Sequence, residues 1–96
     1  MAEHVRVATF DADQAALDAV VNEINSEAGP PEGVPAKSIL VLADRSAGKA
    51  VFVVRFGSEE DLKQGSETLD AMSPPTDGMR RVSVETYEVV LDRQAP

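Results

Sequence analysis

The sequence predicts one α+β domain built in the order β-α-β-β-α-β. Three observations lead there: four β-branched runs of strand length, two stretches with apolar residues at helical spacing, and glycine- or proline-bearing breaks between them. A chain of 96 residues is one domain, residues 1–96. It buries only about 60–65% of its unfolded surface, so association is a ready source of added stability.

The elements follow in order. Residues 5–10 (VRVATF) alternate and are β-branched, which predicts the first strand. Asp11 with Gln14 three positions on offers an N-cap and capping box. Leu17, Val20, Val21, Ile24 and Ala28 then mark the apolar stripe of an amphipathic helix. Gly29 and Pro30-Pro31 end it, and the loop runs to Pro35. Residues 38–43 (SILVLA) and 50–56 (AVFVVRF) are strands of a hairpin, joined by the polar turn DRSAGK with Gly48 for a positive φ. Ser58 with Asp61 caps a second helix, whose buried side carries Leu62, Leu69 and Met72. Gly65 in its middle costs about 1 kcal/mol relative to alanine and predicts a kink or fraying. Residues 73–78 (SPPTDG) are a loop, residues 81–91 (RVSVETYEVVL) a long last strand, and residues 92–96 a tail.

Two crossover helices and one hairpin in this order make a ferredoxin-like arrangement, with both helices on one face of a four-stranded antiparallel sheet. A sheet with one wet face alternates apolar and polar residues. The hairpin does not: Ile39 to Ala43 and Ala50 to Val54 are apolar at both parities. Both faces of these strands therefore call for burial, and the polar tail DRQAP is too short to cover the second one. A homodimer through the sheet face is the expected solution.

The bulk numbers narrow the partners. A net charge of −8 repels nucleic acid and anionic membranes. Phe10, Phe52, Phe56 and Tyr87 are the whole aromatic set, too few for a base-stacking platform. With no cysteine there is no disulfide, thiolate metal site, iron–sulfur cluster or thiol nucleophile. His4 has no second histidine with which to form a metal cluster, and no cofactor is expected. Residues 1–4 lack the basic and apolar regions of a secretory leader, and no apolar run reaches the ~20 residues of a membrane span. A cytoplasmic location is the expectation.

The stretch SILVLADRSAGKAVFVVRFGSEEDL, residues 38–62, resembles the hairpin and helix entry of the antibiotic biosynthesis monooxygenase-like proteins. The shared features are two apolar strands about a polar turn, Arg55-Phe56 at the end of the second strand, and the Ser-capped acidic start Ser58-Glu59-Glu60. The final VSVETYEVV, with its Tyr-Glu-Val, is similar to the closing strand of that family, and the element order agrees over nearly the whole chain. The resemblance implies a dimeric α+β barrel. It also implies a range of activities: cofactor-independent oxygenases, haem-degrading enzymes, isomerase-like proteins and members without known activity. The histidine, asparagine and tryptophan that haem-degrading members use are not matched here. Gly65 stands at about the histidine position and Phe56 at the tryptophan position, and no asparagine lies in residues 5–10.

Tyr87, Glu85 and Arg55 are the candidate site residues. Tyr87 and Glu85 share a strand parity with Ser83, Val89 and Leu91, which suits the lining of a polar-tipped cavity between sheet and helices. The competing structural reading gives the Tyr87 hydroxyl a backbone partner and Glu85 an arginine, from Arg6, Arg55 or Arg81. Asp11, Asp13 and Glu59 to Asp61 read as helix-start acids rather than as a cation site. Three functions stay open: a dimeric barrel binding a small apolar or aromatic molecule between sheet and helices, a cofactor-independent monooxygenase in which Tyr87 and Arg55 orient the substrate, and a non-catalytic interaction or regulatory subunit.

Overall fold

The computed structural model describes residues 2–26, 33–71 and 78–94. Its elements are β1 (His4–Ala12), α1 (Gln14–Ser26), β2 (Ala36–Asp44), β3 (Lys49–Phe56), α2 (Glu59–Ala71) and β4 (Met79–Glu88). They form one antiparallel sheet in the order β2-β3-β1-β4, the ferredoxin-like α+β arrangement expected from the sequence. Ala28, Gly29, Pro30, Pro31 and Met72, and residues 73–77 of the second loop, lie outside the described residues. Among the described residues no helix is long and apolar enough to cross a membrane.

Both helices lie on one face. On β1 and β3 that face is the even parity: Ala8, Phe10 and Ala12 opposite Phe52, Ala50 and their neighbours. Under α1, the buried Ala12, Ala16, Leu17, Val20, Ala50 and Met79 pack with Phe10, Phe52 and Ile24. The Phe10 and Phe52 rings meet edge to face at 5.3 Å, a favoured aromatic geometry. Under α2, Val34, Val54, Phe56 and Leu62 pack with Ala36 and Leu69. Ala16 takes the inward place that the spacing gave to Val21, which is exposed.

The helix starts follow capping chemistry, with one correction. Asp13, not Asp11, is the N-cap of α1: its Oδ1 accepts the Ala16 N–H at 2.7 Å. Asp11 belongs to β1 and pairs with Arg80 at 3.0 Å. Ser58 caps α2 as expected, its Oγ accepting the Asp61 N–H at 3.2 Å. α2 runs as one helix from Glu59 to Ala71 with Gly65 in its interior. Gly65 is there for space: a Cβ on it would stand 2.4 Å from the Phe56 ring. The hairpin turn is held by Asp44, whose Oδ1 accepts from the Ser46 hydroxyl at 2.9 Å and the Ala47 N–H at 3.1 Å, and by Gly48 at φ 66°.

β4 ends at Glu88, three residues short of the expected end. The Val89 N–H still reaches the Glu3 carbonyl at 2.8 Å. Beyond it the chain turns toward β3, where Asp92 meets Arg55.

Candidate functional site

The odd parity of β1 and β3 faces away from the helices. Register defines this open face row by row. Leu40, Val53, Val7 and Glu85 form one row across β2-β3-β1-β4, and Leu42, Val51, Thr9 and Ser83 the next. On the other side lies the row Ser38, Arg55, Val5, Tyr87. The centre is thus aliphatic, with hydroxyls and charges toward β4 and the sheet ends. Leu40 is 56% exposed, Leu42 46% and Tyr87 51%, values that mark an uncovered apolar surface. The both-parity apolar pattern of the hairpin has this outcome: one set faces the helices, buried on β3 at Ala50 and Val54, and the other is left open.

All three candidate residues lie on this open face. The expected cavity between sheet and helices does not contain them, because the inward parity of β4 is Met79, Arg81, Val84 and Thr86. Arg55 and Tyr87 flank Val5 in one row, two strand spacings or about 10 Å apart. Tyr87 Oη donates to Glu85 Oε2 at 2.8 Å, so the hydroxyl has a side-chain partner, not the expected backbone one. That hydrogen bond and the adjacent negative charge push the tyrosine pKa up, since ionising it would set two anions side by side. Glu85 correspondingly pairs with Tyr87 and with none of the three arginines proposed for it.

Those arginines are engaged elsewhere. Arg55 Nε binds Glu3 Oε1 at 2.7 Å and its Nη2 binds Asp92 Oδ2 at 2.5 Å. Lys37 joins Glu3 Oε2 at 3.1 Å. Hydrogen bonds from Lys37 and Arg55 hold the Glu3 carboxyl below the ordinary range, and Asp92 with Glu3 raises the Arg55 pKa further. This cluster ties the chain on either side of the sheet to the end of β3. It borders an open cleft of about 330 Å³ lined by Ala2, Glu3, Arg55 and residues 89–92.

Arg6 and Arg81 meet on Asp70 Oδ1, at 2.7 and 2.8 Å. Arg6 projects from the inward parity of β1 and is only 5% exposed, with its Nε unpaired. Partial burial alone would raise the Asp70 carboxyl, but Arg81 and Arg6 together hold it below the ordinary aspartate range. Sequence reasoning missed this cluster. The available signal was an arginine set at the same parity as Ala8 and Phe10 in an otherwise apolar strand. His4 opens β1, and Glu59, Glu60 and Asp61 occupy the first turn of α2. Among the described residues no group of three or more His, Cys, Asp or Glu side chains is placed to hold a metal ion. Comparison with protein-family models, curated proteins and solved structures found no match.

Proposed function

We propose that the protein is a homodimeric binding module of the dimeric α+β-barrel type, in which two open sheet faces meet and shelter a small apolar or aromatic molecule. The observation that carries this reading is the aliphatic open face, half-exposed at Leu40 and Leu42. Monomers rarely leave a contiguous apolar patch of this kind uncovered. Four strands about 4.8 Å apart and about eight residues long, at about 3.3 Å per residue, give a face of roughly 500 Å². Two such faces bury about 1,000 Å², the lower bound for a specific interface. A second copy supplies the matching apolar surface, and a two-fold axis closes the assembly at two.

Binding is favoured over oxygenation by the state of the candidate groups. The Arg55 guanidinium is held by two carboxylates, and the Tyr87 hydroxyl is held by Glu85. Two of the three Arg55 nitrogens and the Tyr87 proton are thus committed to carboxylates within the chain.

Sedimentation of the wild type and of Val53→Glu, together with fluorescence of the apolar probe 1-anilinonaphthalene-8-sulfonate, tests this. The expected result is that the wild type self-associates at ~10 µM and binds the probe in saturable fashion. Val53→Glu keeps its circular dichroism but loses the face-mediated association. A wild type that stays monomeric at that concentration overturns the proposal.

A further inference from the structure

The two edges of the sheet are built differently. β4, at one edge, carries Arg80, Arg81, Glu85 and Glu88. Its register with β1 shifts between Thr9 and Phe10, where Val82 is the extra residue on β4. Charges and bulges are the devices by which proteins blunt an exposed edge against pairing. β2, at the other edge, has neither along its middle. Its one irregularity falls between Ala36 and Ser38 at its start, and Ile39 to Ala43 are all apolar. Ile39 points to the helix side, yet it is 46% exposed. The helices therefore stop short of this edge, and its exposure is a separate matter from that of the open face.

We infer that β2 pairs edge to edge with β2 of another copy, antiparallel about a two-fold axis, so that the sheet continues to eight strands. An antiparallel partner satisfies the outward N–H and C=O groups of β2, which an edge strand otherwise leaves to water. A second copy is the fitting partner because the strand is self-complementary. Its middle, Ile39 to Ala43, is apolar throughout, so the strand run in reverse meets it apolar against apolar. Opposite residues in an antiparallel pair share a face, and an axis normal to the sheet keeps the two open faces on one side. Paired residue numbers must then sum to an even value, so either Leu40 or Val41 meets its own counterpart. In both registers the aliphatic side chains of Ile39 to Ala43 fall beside one another, while Lys37 stays with Glu3 and Asp44 with the hairpin turn.

The test combines mass measurement with amide hydrogen exchange. Ile39→Lys puts charge on the edge but on the helix side, away from the open face, whereas Val53→Glu alters the open face alone. The expected pattern is a wild-type particle whose mass falls twofold in Ile39→Lys, with the β2 amides protected in the wild type. If the open-face dimer also forms, Val53→Glu halves the mass independently and the double variant is a monomer. If it does not form, Val53→Glu leaves the edge pair intact and Ile39→Lys alone yields monomers. The inference is overturned if Ile39→Lys leaves the wild-type mass unchanged. It is equally overturned if the outward β2 amides exchange as fast as those of the β4 edge, the result expected of an edge left free or kept for a peptide. Because the chain has no cysteine, Leu40→Cys and Val41→Cys, one for each register, add a check under mild oxidation by a clean single-site cross-link in one of the two. Thr86→Cys on β4 is its control.

Discussion

The two faces of one sheet spend their apolar residues differently. On the helix side, small and aromatic residues alternate: Ala8, Ala12 and Ala50 bring the helices close, and Phe10, Phe52 and Phe56 fill the space left. On the open side, Val5, Val7, Val51, Val53, Leu40 and Leu42 are of similar size and form an even surface. The first pattern suits a particular interior with a fixed neighbour at each point. The second suits contact with another apolar face, with Arg55, Glu85 and Tyr87 at its margin. Composition alone does not separate them. What differs is how sizes are arranged across the rows.

That contrast can be broken most forcefully at Phe56. Replacing this fully buried ring with alanine removes the centre of the α2 cluster and is expected to cost about 3–5 kcal/mol, read as a fall in denaturation midpoint. The matching truncation on the other face, Leu40→Ala, is expected to change monomer stability by no more than about 0.5 kcal/mol. If the two substitutions cost the same under monomeric conditions, the distinction between the faces fails.

Asp70 sharpens the comparison from a polar direction. Asp70→Asn leaves Arg6 buried with a weaker partner and should cost about 1–3 kcal/mol. The Asp70 and Glu3 carboxyls lie below their ordinary range in the folded chain. The stability they confer is therefore complete above the unfolded carboxylate range, and it is lost as pH falls below about 4 and through their lowered values. Acid unfolding should accordingly be shallower in Asp70→Asn than in the wild type. A smaller effect is expected at the cap: Ser58→Ala should cost about 1 kcal/mol. Smallest for stability is the Tyr87 pair. Ultraviolet titration should place Tyr87 ionisation above that of free tyrosine, and Glu85→Gln should bring it down with little change in melting temperature. An unshifted wild-type titration would show that the pair does not persist in solution.

Much of this architecture is legible in the sequence, because it rests on local and periodic signals. The both-parity runs Ile39 to Ala43 and Ala50 to Val54 announce strands with two apolar faces, and Ser58 announces a helix start. What is not legible depends on which residues meet across the fold. Gly65 reads as a weakness in a helix until Phe56 is found against it. Arg6 reads as a candidate partner of Glu85 until β1 is seen beneath α2 with Asp70 at its reach. Asp11, with Gln14 three positions on, reads as the cap of α1, and β1 running on to Ala12 moves that role to Asp13. For Tyr87, Glu85 and Arg55, parity grouped Tyr87 with Glu85 correctly, but only the register shows which face the helices cover.

The seat of Phe56 on Gly65 has a consequence for redesign. A ring resting on a bare backbone locks the helix against sliding along the strand, as a peg in a slot does. The slot exists only because one residue has no side chain. Sizes at the two sites must therefore change together. Gly65→Ala alone should push the helix outward, whereas Gly65→Ala with Phe56→Leu exchanges bulk across the contact and should recover part of the loss. Chains that share this architecture but lack the pair would then be expected to set α2 at a different height above the sheet.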